Sequence, residues 1–282
     1  MNEIQLVPTI RSKMLLEELK TDGHKPMKFL CDNGSIYFCK NRISVNKAEM
    51  DFLAYEVVCH FLLKTLQIPT PEIAFVEIQE GSFDKNKMPA NRKRTTSGSI
   101  CFGSKAVEPN TIISGIQNLA TKRDFGRLLN PGDIIRIGLF DLWVKNTDRA
   151  KGDNYNLLLQ GRGQKSQIVA IDHAFAFGGL DGLRFFKLND TDFFDSGRLL
   201  RSAYFKEVVK YFSRQERRDI SDSFISLLQQ ETIQYVISQS FKQIPSSWQI
   251  WPDLQNRVAD FLLSHSRMAG IQTEAHTLIL TK

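Results

Sequence analysis

The chain has 282 residues, 42% of them hydrophobic and 24% charged, a balance that excludes a low-hydrophobicity disordered chain and suits one two-lobed unit or two modest domains. No apolar run approaches the roughly 18–20 residues that span a bilayer, and the opening MNEIQLVPTIRSK lacks the apolar core of a signal peptide. Four cysteines without a CxxC pair, and no His/Cys spacing suited to zinc, complete the expectation of a reduced, cytoplasmic protein.

A net charge of +6 and a pI near 9.1 favour an acidic partner such as ATP, nucleic acid or an acidic protein face. The charge is scattered apart from Asn91-Arg92-Lys93-Arg94, so most of it reads as solvated surface. That cluster has no aromatic platform or nucleic-acid motif beside it, which counts against a nucleic-acid partner.

The first elements read as strands. Met14 to Leu19, Met27 to Cys31 and Ser35 to Lys40 are short apolar segments separated by Thr21-Asp22-Gly23-His24 and Asp32-Asn33-Gly34. Such turn residues predict a three-stranded antiparallel meander. From Asn46 to Leu66 the spacing becomes helical, with Phe52, Leu53, Val57, Phe61 and Leu62 about a turn apart and Glu49, Leu53, Glu56 and His60 sharing a face. Ile68-Pro69-Thr70-Pro71 ends that helix, Ile73 to Ile78 reads as a strand, and Gly81 to Gly98 as an exposed, mobile excursion. Ile100 to Gly103 is a further short strand. Sheet, one helix and sheet again make an α+β lobe.

Beyond Glu108 helices dominate: Asp124 to Asn130, then Pro131-Gly132-Asp133 through Trp143, and later Ala203 to Phe212, Gln215 to Gln229, Glu231 to Ser240 and Trp251 to His265. Ile271 to Lys282 is too short to place. Between these helices, Asp141 to Phe177 carries the chemistry. Two apolar runs, Leu157-Leu158-Leu159 and Ile168-Val169-Ala170-Ile171, flank a polar turn from Gly161 to Ser166 and predict a β-hairpin. A hairpin brings Asn156, just before the outgoing strand, to the same end as Asp172, just after the returning one. Asp148 leads into that end. Carboxylate, amide oxygen and carboxylate in this order suit phosphoryl transfer, one orienting a hydroxyl and two holding Mg²⁺. By composition alone, Asp and Asn in a loop are turn formers; their order around the two strands is what favours chemistry.

Several blocks in the right order then resemble the HipA-like kinases, toxin-type bacterial Ser/Thr kinases related to the phosphoinositide-kinase group: GSIYFCK (34–40), FLAYEVVCHFLLKTLQIPTPE (52–72), ICFGSK (100–105), DLWVKNTDR (141–149), NYNLLL (154–159) and VAIDHAFAF (169–177). The resemblance implies an α+β, two-lobed protein-kinase-like fold. Residues 1–105 would form an N-lobe of antiparallel sheet plus one helix, and 106–282 a mostly helical C-lobe holding the catalytic hairpin. It implies an ATP- and Mg²⁺-dependent kinase acting on a protein Ser or Thr, with a translation-related substrate and a neutralising antitoxin-like partner as the family's habits.

On that resemblance Lys40 reaches the ATP phosphates and Glu56 is its carboxylate partner, with Glu49 on the same face as the rival. Asp148 is the catalytic carboxylate, while Asn156 and Asp172 are Mg²⁺ ligands that also contact the nucleotide. Gly23 and His24 lie in the loop covering the phosphates, by position alone, and the backbone of Phe102, Gly103 and Ser104 offers hydrogen bonds to adenine. Asn146 shapes the loop, Arg149 pairs with phosphate or an activation-segment acid or else is a surface arginine, and His173 packs beside Asp172.

Two features depart from the pattern. Ala150 stands where the wider group has His, and Lys151-Gly152-Asp153-Asn154 lengthens the loop before Asn156, leaving Asn154 as a rival ligand. These departures keep open a second reading, a kinase-like module that binds a nucleotide or partner without phosphotransfer.

Overall fold

The computed structural model describes residues 4–19, 25–42, 44, 46–83, 94–113, 121–152, 154–179, 188 and 190–281. The meander expected near the N-terminus is present as β1 (Thr9–Glu18), β2 (Met27–Cys31) and β3 (Ile36–Lys40). Gly34, at φ +76°, makes the turn between β2 and β3, a conformation that costs glycine nothing. The expected antiparallel sheet closes into a barrel in the order β1-β2-β3-β5-β4, with β4 (Ile73–Glu77) and β5 (Ile100–Lys105) completing it. Closure comes from the start of β1, which runs parallel to β4 with Thr9 opposite Phe75 and Ile10 opposite Val76. The strand begins earlier than its apolar run suggests because that pairing takes up backbone groups which an edge would leave open.

Strand alternation sorts the side chains by face. Met27, Phe29, Cys31, Tyr37, Cys39, Ala74, Val76 and Cys101 fill one buried cluster, while Ile73, Phe75 and Phe102 join the larger core built around helix α1 (Glu49–Thr65). All four cysteines are buried free thiols. Burial pushes the Cys101 thiol up to about 12, so these groups act as small apolar residues rather than nucleophiles. Helix α1 is buried on every side, from Met50 through Leu63, because the barrel covers one face and helix Gln230–Gln243 packs on another.

The segment expected as a helix over 124–130 is one turn, α2 (Lys122–Phe125), after which Leu128 bridges to Ser166 beside the hairpin. Helix α3 (Asp133–Val144) is the hydrophobic axis of the helical part, with Ile134, Ile135, Ile137, Leu139, Phe140, Leu142 and Trp143 buried. The hairpin forms as β7 (Leu157–Arg162) and β8 (Lys165–Ala170), with a tighter turn than expected at Gly163 (φ +65°) and Gln164, and a third strand β6 (Asn110–Ile112) on β7. The C-terminal stretch left unplaced by the sequence forms helix His265–Ala275 and a wider helical turn over His276–Leu280. No helix among the described residues is long and apolar enough to cross a membrane.

Candidate active site

The site grows from the end of α3. Lys145 ends that helix in the left-handed region, at φ +51°. Buried Arg267, from the last helix, caps it by donating from Nε to the Trp143 carbonyl at 2.6 Å and from its other arm to the Leu142 carbonyl, satisfying carbonyls a helix end leaves without partners. The Arg267 guanidinium stacks over Phe261 and Phe193, its carbon 4.2 and 4.8 Å from the ring centres, and burial lowers its pKa to about 9 against the pull of Asp190 and Asp192.

From this fixed point the loop returns to the hairpin around one buried cation. Arg149, 1% exposed, donates from Nε to Asp141 Oδ2 at 2.5 Å and from one arm to the Tyr155 carbonyl at 3.1 Å and the Asn156 carbonyl at 2.5 Å. Its other arm meets His173 Nε2 at 2.8 Å. Since guanidinium only donates, Nε2 must accept and the histidine proton sits on Nδ1. Burial, reinforced by the Arg149 charge, holds His173 well below its usual pKa and so neutral. Asp141 Oδ1 also accepts from the Asn146 amide at 3.0 Å, and Asn146 Oδ1 accepts from the Asp148 N–H at 3.2 Å. Asn146 therefore shapes the loop, as expected. Arg149 is neither a surface arginine nor open to phosphate; it is the internal tie of the loop.

The hairpin does bring Asn156 and Asp172 to one end. Leu157 pairs with Ala170, and the Ile171 N–H donates to the Asn156 carbonyl at 3.1 Å. Both residues adopt left-handed backbone, φ +48° and +56°, which Asn and Asp tolerate better than other non-glycine residues. Asn156 Nδ2 donates to Asp148 Oδ2 at 3.0 Å. Asn154, the rival, is occupied as an acceptor for the Asn156 N–H at 3.2 Å. Asp153 lies outside the described residues.

The barrel contributes Lys40, whose ammonium lies 2.5 Å from Glu56 Oε1 and 2.8 Å from Asp172 Oδ1. Burial disfavours its charge, but Asp172 and then Glu56 outweigh burial and hold its pKa above the usual value. Burial pushes Glu56 up, opposed by Lys40. The other oxygen of Glu56 accepts from the His173 N–H at 3.0 Å. Of the two carboxylates weighed as partners, Glu49 instead accepts from the Ser44 N–H at 3.1 Å, at the helix start. Lys40, Glu56, His173, Arg149 and Asp141 thus form one connected buried polar chain, a network in which each member fixes the next.

The remaining expected residues fall elsewhere. Gly23 and His24 lie outside the described residues. Phe102, Gly103 and Ser104 stand mid-strand in β5, opposite Lys40, Cys39 and Phe38 of β3 and Phe75, Ala74 and Ile73 of β4. Both edges of the strand are taken by ladders, so its backbone is not free for adenine; Lys105 and Ala106 also donate backward, to Glu72 and Ile36. The backbone beyond Ala106 is the first on this path outside the ladders. Gly103 is needed for packing, because a Cβ there would lie 2.6 Å from Val76 Cγ2. Sequence reasoning missed Asp141 and Arg267. A carboxylate on the apolar α3 pattern was the available signal for the first, while helical spacing of Met268, Ile271, Ala275 and Leu278 would have exposed the helix carrying the second.

In chemical terms, Asp172 and Asn156 present hard oxygen donors and Asp172 is one-third exposed, a set that fits Mg²⁺. Among the described residues no three His, Cys, Asp or Glu side chains group to hold a metal, so such an ion would complete its shell from water and phosphate.

A protein-family model for HipA-like kinase matches residues 16–189. The chain belongs to the HipA-like kinase family. Among solved structures it is similar to the Helicobacter pylori proinflammatory kinase CtkA, at 13% identity and a TM-score of 0.53, over 97% of this chain and 99% of that one. It also aligns with the Golgi casein kinase, at 12% identity and a TM-score of 0.40, over 97% of this chain and 76% of that one. The CtkA likeness shows a kinase fold, in agreement with the α+β architecture. No curated protein matches the chain.

Proposed function

We propose that the chain is an ATP- and Mg²⁺-dependent phosphotransferase acting on Ser or Thr of a protein substrate. Residues 1–105 serve as the nucleotide-binding half and 106–282 as the half that carries the hydroxyl-activating loop. The observation that supports this best is the buried Lys40 ammonium held between Glu56 and Asp172, at 2.5 and 2.8 Å, at the same end of the hairpin as Asp148 and Asn156. Mg²⁺·ATP supplies the phosphoryl group and neutralises charge on it.

The protein's own residues do the positioning. Glu56 orients the Lys40 ammonium, which would meet the phosphate oxygens of a bound nucleotide. Asp172 and Asn156 would hold the cation. Asp148, steered by Asn146 and Asn156, accepts the hydrogen bond of the substrate hydroxyl and aligns it for attack. Arg149 contributes by holding Asn156 and His173 in register and touches no substrate.

A second reading, nucleotide or partner binding without transfer, draws on Ala150 at φ +58° in the lengthened loop. Incubation with γ-labelled ATP, Mg²⁺ and a cell extract separates the two. Asp148→Ala is expected to keep nucleotide-dependent thermal stabilisation and lose transfer, and Asp172→Ala to lose both. Full turnover in either variant overturns the assignment; stabilisation without transfer in the unaltered protein selects the binding module.

A further inference from the structure

Past Lys40 the chain leaves the barrel through Asn41 and Arg42. There the start of α1, the residues leading into β5 and the turn over Ser246–Trp248 line an open cavity of about 340 Å³. Three cations line it, Arg42, Lys47 and Arg94, and no carboxylate among the described residues does. Neither guanidinium is in an ion pair among the described residues, and Lys47 gives one hydrogen bond to Gln249 Oε1 at 3.3 Å. The two acids in the first turn of α1 are already engaged: Glu49 accepts from the Ser44 N–H and Asp51, buried, from the Trp251 N–H at 3.0 Å.

The arrangement is held from within by one residue. Asn41, 5% exposed, donates to the Arg94 carbonyl at 3.1 Å and to Thr95 Oγ1 at 3.2 Å, while its oxygen accepts from the Arg42 N–H at 2.8 Å. A single buried amide thus clamps together the two backbone segments that bear the guanidinium groups. The floor is equally fixed. The Trp248 indole N–H donates to the Ile100 carbonyl at 2.8 Å, and its ring meets Phe75 edge-on at 5.5 Å.

We propose that this cavity is a binding site for a phosphate monoester, distinct from the Lys40 site. Two planar forks and an ammonium lining one small concave space match a compact dianion with three acceptor oxygens. A carboxylate would satisfy only part of that charge. A nucleobase has no place to stack, because Trp248 is 2% exposed and a base needs an open aromatic face. The shared chemistry has two sources, free phosphate and the phosphorylated side chain of a peptide. Occupancy would tie the exit of β3 to the first turn of α1, the two elements that carry Lys40 and Glu56.

The three tryptophans, Trp143, Trp248 and Trp251, give a readout independent of phosphotransfer. In the ¹⁵N-labelled full chain the Trp248 indole signal, assigned through Trp248→Phe, is followed while inorganic phosphate, a phosphoserine tripeptide and its unphosphorylated form are added at constant ionic strength. Saturable movement of that signal with the phosphate-bearing probes alone is expected, and Trp143 stays in place. Arg42→Gln with Arg94→Gln is expected to weaken binding roughly tenfold or more, and Arg94→Gln alone to do so in part should the pair fold poorly. Tighter binding of the tripeptide identifies a protein side chain as the source, and equal binding identifies free phosphate. An unmoved Trp248 signal at millimolar phosphate, or unchanged affinity in the arginine variants, overturns the proposal whether or not the chain proves to be an active kinase.

Discussion

Arg149→Met removes the tie around which the loop from Asn146 to Asn156 is wound, and its cost follows from what the guanidinium touches. Asp141, 0% exposed, loses the only cation it pairs with among the described residues, and stripping one partner from a buried ion pair costs about 3–5 kcal/mol. The carbonyls of Tyr155 and Asn156 lose their Arg149 donor as well, at about 1 kcal/mol each. The sum, about 6 kcal/mol, is comparable with the whole stability of a typical domain, about 5–15 kcal/mol. Urea unfolding followed by far-ultraviolet circular dichroism measures it. Asp141→Asn in the Arg149→Met background should recover part of the loss, since the uncompensated charge is gone, giving a coupling of about 2 kcal/mol or more in the double-mutant cycle. A loss under about 1 kcal/mol for Arg149→Met, or strictly additive effects in the cycle, would refute the view that this ion pair organises the loop.

Three further outcomes are expected. Lys40→Met removes the cation shared by Glu56 and Asp172 and should lower kcat/KM for phosphotransfer roughly 10²-fold or more, read in the γ-labelled ATP assay; an unchanged value contradicts its role. His60 is buried, and burial lowers its pKa from 6.5 to about 4. The unfolded chain takes up the proton first, so stability present at neutral pH is lost as pH falls from 6.5 to 4, by on the order of 3 kcal/mol at most. His60→Leu should remove that slope, as tested by urea unfolding across the window. Gly103→Ala places a methyl group 2.6 Å from Val76 Cγ2 and 3.1 Å from the Ala74 carbonyl. It should destabilise the barrel by about 1–3 kcal/mol, and a melting temperature equal to that of the unaltered chain would show the strands parting at no cost.

The sequence made the hairpin legible because two short apolar runs are punctuated by Asn and Asp at the positions where the backbone turns left-handed. It made α1 legible too, although 17 residues of helical spacing cannot say that every face is covered. The choice between Glu49 and Glu56 could not be read from the helix face they share; it depends on where β3 ends in space. Barrel closure was hidden for a similar reason, since the parallel pairing of Thr9 with Phe75 joins residues far apart in the chain and leaves no local pattern. Arg149 was misplaced because an arginine in a polar loop resembles a solvated one until its carbonyl partners converge. The mid-strand position of Phe102 to Ser104 likewise depends on neighbours on both sides, which a single apolar run does not announce.

A crystal structure of the chain with Mg²⁺ and a non-hydrolysable ATP analogue tests the central account most directly. Expected are one cation within about 2.1 Å of an Asp172 oxygen and the Asn156 amide oxygen, the Lys40 ammonium still on Glu56 but moved from Asp172 to a phosphate oxygen, and Asp148 facing the γ-phosphate. A nucleotide bound elsewhere, or a cation that touches neither Asp172 nor Asn156, would contradict it.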